Sequence, residues 1–173
     1  IPTIPNYIIT SSLAAPILLK LGVPLIVSHM FVFYFGIMAD LTPPVALAAF
    51  AAAPIARESG LKISLQALRV AIAGFIVPFM AVYSPALMLQ GGGALATAYV
   101  VFKALIAIGM WGAGAIGFLF GPLNLLERLA AIVAASFLVA ALPMTDEIGL
   151  AGVVAFLAWH VWRTRAARRS TAA

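Results

Sequence analysis

Long apolar runs separated by short clusters of charge are the feature that most limits what this chain can fold into. Only 9% of its 173 residues are charged, whereas a soluble domain carries about 25%. The charges gather between the runs, as in ARESGLKISLQALR at 56–69 and in the tail RTRAARR at 163–169. This arrangement is typical of a helical protein that crosses the membrane several times. We therefore predict an all-α polytopic membrane protein.

Composition and missing motifs exclude several functions. The net charge is +5, and much of the excess lies in the tail beside the last apolar run. There it predicts a topology signal and a contact with lipid headgroups rather than nucleic-acid binding. The chain has no cysteine, no phosphate-binding G-x-x-x-x-G-K-[ST] pattern and no H-E-x-x-H pattern. We therefore expect neither ATP use nor a zinc-hydrolase site.

The N-terminal segment predicts one arm of a re-entrant hairpin. The apolar run at 7–19 is shorter than the roughly 20 residues that span a bilayer. It follows PTIPN, which we interpret as a helix-breaking polar patch with Thr3 and Asn6 as oxygen donors. A full spanning helix whose beginning is missing is the alternative. The chain also starts with Ile1 and not with Met, so we expect it to be the C-terminal part of a longer polypeptide.

The stretch FGIMADLTPPVALAAF at 35–50 predicts a discontinuous transmembrane helix. Proline removes a helical hydrogen bond and disfavours helical geometry in the residue before it. We predict a half-helix at 28–39, an unwound bend at 40–42 and a second half-helix at 43–56. Each half is too short to span the membrane, but the two together can. An ordinary loop between two helices is the alternative.

An acid within this break predicts an ion or substrate site. Unwound backbone in a membrane survives where it lines a cavity, and discontinuous helices of transporters bind ions and substrates there. Asp40 supplies a negative charge and Thr42 a hydroxyl oxygen. Because Pro43 and Pro44 lack N–H groups, the predicted second half-helix offers free amides to an anion from Val45 onward. A structural role for a protonated or paired Asp40 is the alternative.

About four further spans complete the predicted topology, at 67–83, 94–120, 124–142 and 147–163. Arg57, Lys62, Arg69, Arg128 and the tail arginines then fall on one side, which the positive-inside rule makes cytoplasmic, together with the C-terminus. Small residues at every fourth position predict a helix-packing stripe (Gly109, Ala113, Gly117, Gly121). We divide the chain into a hairpin arm with the discontinuous helix (1–65), further transport or scaffold helices (66–122), and a C-terminal helix pair with the basic tail (123–173).

Three segments carry a resemblance to a known family: IPTIPNYIITSSLAAPIL, HMFVFYFGIMADLTPPVALAAFAAAPIA and PFMAVYSPAL. Together they resemble the large membrane subunit of tripartite ATP-independent periplasmic (TRAP) transporters. The similarity is greatest to the fused permease that works with TAXI-type binding proteins, and the LTPPVALAAFAAAPIA block is its most specific part. The segment from Asn124 to Gly152 looks like the additional C-terminal helices of that branch.

The resemblance implies the second half of an inverted-repeat, elevator-type importer of organic acids, coupled to Na⁺ and located in the bacterial or archaeal inner membrane. It implies a periplasmic substrate-binding protein as partner, together with the first repeat and the small-subunit helices of the permease. PTIPN becomes the tip of the second hairpin, and ADLTPP becomes the break of the second discontinuous helix. The implied sodium site is bordered by Thr3, Asn6, Ala39, Asp40 and Thr42, and the implied substrate site by Thr42, Pro43, Pro44 and Val45.

Three alternatives remain open at this stage. The first is another elevator-type, ion-coupled transporter with similar discontinuous helices. The second is a membrane scaffold or assembly subunit without a transport site. The third is an intramembrane hydrolase that uses Asp40 or the pair Ser28–His29, although no second catalytic group is evident at the same depth. His29 itself, and His160 between Trp159 and Trp162, are more typical of the membrane interface.

Overall fold

A computed structural model describes residues 3–140 and 144–170, with side chains described through residue 165. Within these residues the structure is helical, which confirms the all-α prediction. The helices are α1 (Thr3–Lys20), α2 (Leu25–Met38), α3 (Leu47–Ala56), α4 (Gly60–Val70), α5 (Ile72–Tyr83), a short 3₁₀ helix (Pro85–Met88), α6 (Gly93–Ile116), α7 (Leu125–Val139) and α8 (Thr145–Ser170).

The chain divides into two compact units, residues 1–101 and 102–173, with the boundary inside α6. In the first unit α1 packs on α2, α2 packs on α5, and α3 packs on α4. In the second unit α7 packs on α8. The three-part division at 65 and 122 stays a prediction.

The first helix is longer than predicted. It begins at Thr3, so the described part of PTIPN, from Thr3 to Asn6, is not a break but the first turn of α1. Pro5 is tolerated there because the first N–H groups of a helix have no acceptor within it. The chain then reverses at Gly22, whose φ of 84° suits a residue without a side chain, and α2 returns along α1.

Helices flank the predicted break on both sides, but the segment between them is wider than predicted. The first half ends at Met38 and the second begins at Leu47. The break therefore covers 39–46 rather than 40–42, and the predicted start of the second half at Pro43 is wrong. Ala46, with a left-handed φ of 35°, precedes α3 and sets its starting point.

Length and composition support fewer spans than the sequence predicts. Within the described part of the chain, α6 is long and apolar enough to cross a membrane. The pair α4–α5, bent by 42°, makes a second if it counts as one span. The predicted helix 124–142 ends earlier, at Val139, and its last two residues lie outside the described residues. The predicted helix 147–163 extends instead from Thr145 to Ser170.

The predicted small-residue stripe is not a continuous helix face. Helix α6 ends at Ile116 instead of 120, and Gly117 has a left-handed φ of 84°. A Cβ at Gly109 would meet nothing within 4 Å. On α6 itself the close approach to a neighbour is at Gly114, where a Cβ would lie 2.6 Å from Ile132 of α7, and within the predicted stripe it is at Gly121, where a Cβ would lie 2.9 Å from Thr164.

Candidate functional site

Three backbone hydrogen bonds stabilise the end of α2 and the start of the 39–46 break. The N–H groups of Asp40, Leu41 and Thr42 donate to the carbonyls three residues earlier, at 3.1, 3.1 and 3.3 Å. These bonds tighten the last turn, which is a common way to satisfy terminal helix carbonyls. The break therefore frees fewer carbonyls than the sequence predicts.

Two further bonds fold the break back on itself. The Asp40 carbonyl accepts from the N–H of Ala48, at 3.1 Å, and the Thr42 carbonyl accepts from Ala46, at 3.0 Å. The break is thereby a compact loop with both ends fixed to each other. Within the described residues, the break carbonyls without a backbone donor are those of Leu41, Pro43, Pro44 and Val45.

The two side-chain oxygen donors of the break differ in their surroundings. The Thr42 hydroxyl donates to the Met38 carbonyl, at 2.7 Å, so its proton is used while its lone pairs stay available. Asp40 is half-buried. In the part of the chain that the structure describes, its carboxylate makes no ion pair and no hydrogen bond.

Asn6 of α1 lies against α2, shortly before the 39–46 loop begins. Its Nδ2 donates to the Gly36 carbonyl of α2, at 3.2 Å. Gly36 lies one helical turn before Asp40, and a turn is about 5.4 Å long. The Asn6 Oδ1 accepts from the hydroxyl of Thr10, at 3.1 Å. Thr3 lies one turn before Asn6 on the same helix and is half-buried.

A tyrosine–histidine contact fixes α1 against α2. The Tyr7 hydroxyl and His29 Nδ1 are 2.8 Å apart, and the Tyr7 ring meets Phe33 edge-on. His29 is therefore a packing residue between helices, a role that its sequence position did not indicate. The Ser28 hydroxyl is buried and donates to the Val23 carbonyl, at 3.3 Å. Ser28 and His29 are not arranged as a nucleophile and its base.

Helix α5 supports the other side of the broken helix. Phe31 and Phe35 of α2 meet Phe79 of α5 edge-on, with ring centroids 5.3 and 5.7 Å apart. Gly74 lies under the last residue of α2: a Cβ there would be 2.6 Å from Met38 Sδ. The position at which α2 ends is thus set by packing against α5 as well as by the prolines.

A family model for the DctM component of the tripartite ATP-independent periplasmic transporter matches residues 1–92. The match covers more than half of the 173 residues and contains the whole 39–46 break with Asn6 and Thr3. The chain belongs to the DctM family. DctM is a membrane component of a transporter, so the resemblance to the TRAP large membrane subunit is confirmed. No curated protein and no solved structure matches the chain.

The DctM match ends before the second unit, whose charged residues the sequence did not place together. Lys103 is 4% exposed and binds both carboxylate oxygens of Asp146, at 2.9 Å each. Glu127 binds Arg163 across α7 and α8, at 2.8 Å. His160, expected at the membrane interface, is fully buried beside Glu127. The spacing Asn124-x-x-Glu127 is a capping-box signal that could have located Glu127 at the start of α7.

Proposed function

We propose that this DctM-family chain is part of a sodium-coupled permease that imports an organic acid, with the 39–46 break as its ion and substrate site. The observation that supports this most is the half-buried Asp40 carboxylate, which has no partner among the described residues and belongs to the same loop as four carbonyls without a backbone donor there. Transporters hold coupling ions with such carbonyls at the ends of half-helices. A bound Na⁺ would offset the cost of about 2.5–3.5 kcal/mol for an acid at the membrane centre.

The proposed ion ligands come from the 39–46 break and from the first turn of α1. Asp40 supplies the charge, and Thr42 supplies a hydroxyl oxygen whose proton is already donated to Met38. Ala39 borders the site through the loop backbone. Asn6 and Thr3 approach from α1, since Asn6 is hydrogen-bonded one turn before Asp40. All five are oxygen-bearing positions, which suits a hard cation.

The proposed substrate site lies on the other edge of the same loop. Thr42, Pro43, Pro44 and Val45 border it, and Val45 is 43% exposed. The prolines bring no N–H groups, and the N–H of Ala48 is used by the Asp40 carbonyl. An organic carboxylate would therefore meet the Val45 N–H and the positive end of the α3 dipole.

The partners we propose are a periplasmic substrate-binding protein, the first repeat of the permease and its small-subunit helices. The outer face of α1 supports this, because Ile4 and Leu13 are 74% and 68% exposed and need lipid or another apolar surface. We further propose that the chain is the C-terminal part of a fused, TAXI-type, elevator-type permease in the inner membrane, with its C-terminus in the cytoplasm.

Uptake measured against sodium concentration tests this function. The complete transporter is reconstituted in vesicles with its binding protein, and Asp40→Asn is compared with the exposed control Glu58→Gln. Asp40→Asn should raise the sodium concentration for half-maximal uptake about tenfold, which corresponds to ~1.4 kcal/mol of binding free energy. Thr42→Val should act in the same direction, while Thr42→Ser keeps the oxygen and should stay close to the parent.

Unchanged sodium dependence in both Asp40→Asn and Thr42→Val would contradict the ion site and leave the break as a structural hinge. A uniform loss of uptake in Thr42→Val and Thr42→Ser alike would instead show that the loop tolerates no change. In that case the Asp40→Asn comparison decides alone.

A further inference from the structure

Among the described side chains of the second unit, three buried polar atoms have no hydrogen-bond partner, Trp111 Nε1 and two that lie near each other. These two are Oε1 of Glu127 on α7 and Nδ1 of His160 on α8, and they are 3.6 Å apart. The His160 side chain is 0% exposed and that of Glu127 6%. A separation of 3.6 Å is too long for a hydrogen bond, and a buried polar atom without a partner is unfavourable.

The other ring nitrogen of His160 decides where its first proton lies. Nε2 contacts the carbonyl oxygen of Leu119 in the connection between α6 and α7. A carbonyl oxygen accepts and never donates, so Nε2 carries a hydrogen. In a neutral ring Nδ1 then has only a lone pair, and it would lie against a carboxylate oxygen. Two acceptors at this distance repel each other, whereas a second proton on the ring turns the contact into an attraction.

The partners of Glu127 keep that proton on the nitrogen. Its Oε2 accepts from the backbone N–H of Asn124, at 3.0 Å, and from Arg163 Nη2, at 2.8 Å. Both contacts favour the ionised carboxylate, as does the N-terminus of α7 on which Glu127 lies. A carboxylate that already has these donors on one oxygen accepts readily on the other.

The remaining groups around the pair bring no second anion. The Phe156 ring stacks parallel to His160, with centroids 5.9 Å apart. Arg163 also donates to the Pro122 carbonyl, at 3.0 Å. Arg128 of α7 donates instead to the Gly114 and Ala115 carbonyls. Within the described part of the chain, the Glu127 carboxylate is thus the anion recorded within ion-pair distance of Arg163 and His160.

We propose that Glu127 and His160 form a buried proton-binding site, with the proton carried on His160 Nδ1 and held there by the charge of the facing Glu127 carboxylate. The doubly protonated ring then joins three elements: α8, the carboxylate on α7 and the Leu119 carbonyl between α6 and α7. When the proton leaves, the Glu127 contact becomes repulsive and only the Leu119 contact remains. The site lies beyond the segment that matches DctM and is separate from the Asp40 site.

Nitrogen-15 NMR of histidine tests the proposal directly, because the chain has two histidines. The chain is labelled with ¹⁵N-histidine and reconstituted in a lipid bilayer with unlabelled partners. The variant His29→Gln then assigns the two histidine signals. At neutral pH, both nitrogens of His160 should be protonated. In Glu127→Gln, His160 should become neutral with its hydrogen on Nε2. Glu147→Gln, which changes an exposed acid at the start of α8, should leave His160 protonated.

A neutral His160 in the parent chain at that pH would overturn the proposal, as would a doubly protonated His160 in Glu127→Gln. Fluorescence from Trp111, Trp159 and Trp162, which all lie in the second unit, checks that the variant folds. If Glu127→Gln does not fold, the spectrum of the parent chain still decides between a protonated and a neutral ring.

Discussion

Gly149 on α8 makes the closest approach between the two helices of the second unit. A Cβ at this position would lie 2.8 and 2.9 Å from the Leu138 Cδ2 and Cγ atoms and 3.1 Å from the Leu138 backbone nitrogen. Ordinary contacts between such atoms need about 3.5–4.0 Å. Because Leu138 is fully buried and its backbone nitrogen cannot rotate away, Gly149→Ala must move α8 away from α7. Overpacking of this kind costs about 1–3 kcal/mol.

Gly152, one turn further along α8, supplies the matched control. A Cβ there would lie 3.5 Å from the Ala134 Cβ, which is an ordinary contact. Both changes gain the same intrinsic helix propensity, up to about 1 kcal/mol, so their difference isolates packing. Gly149→Ala should be less stable than Gly152→Ala by about 1–3 kcal/mol.

The assay is equilibrium unfolding in mixed micelles, followed by tryptophan fluorescence. All three tryptophans lie in residues 102–173, so the signal reports on the second unit alone. Equal stabilities of Gly149→Ala and Gly152→Ala would refute the close packing of α7 on α8, and with it the geometry that places Glu127 beside His160.

Three further predictions concern an ion pair, a hydrogen bond and the membrane topology. Asp146→Asn removes the negative charge beside the more deeply buried partner, because the Lys103 side chain is 5% exposed and that of Asp146 29%. Asp146→Asn should therefore destabilise the second unit more than Lys103→Met does in fluorescence-monitored unfolding, and equal losses would contradict this. Asn6→Ala should lower thermal stability by about 1 kcal/mol through loss of the bond to Gly36, and an unchanged melting temperature would count against that bond. A cysteine at Gly92 should react with an impermeant reagent from outside and a C-terminal reporter should be cytoplasmic; the reverse pattern would overturn the orientation.

The sequence predicts well that helices lie on both sides of the prolines, and poorly where those helices end and begin. Pro43 and Pro44 interrupt a helix through local steric clashes, so the sequence alone predicts the interruption. The start of α3 at Leu47 depends instead on Ala46 in a left-handed conformation, which alanine rarely adopts and no local signal indicates. The bonds from Ala48 and Ala46 back to Asp40 and Thr42 likewise belong to the folded loop.

At the proline-rich start of α1, the sequence predicts a break that the structure does not have. Local reading treats Pro5 as a helix breaker, but in a first turn it removes no hydrogen bond. The sequence does not predict the pairing of His160 with Glu127, because the two residues are distant in sequence and nothing in one sequence reveals contacts of that kind. The neighbouring tryptophans predict His160 at the membrane interface, whereas its contacts with Phe156 and Leu119 bury it.

Equilibrium binding of radioactive sodium to the purified, complete transporter measures the proposed ion site without the later steps of transport. The parent protein should bind sodium saturably, and Asp40→Asn should bind it about tenfold more weakly, or ~1.4 kcal/mol less favourably. Glu58→Gln, which changes an exposed acid between α3 and α4, should bind as the parent does. Equal sodium affinity in the parent and Asp40→Asn would contradict the assignment of the 39–46 break as the coupling-ion site.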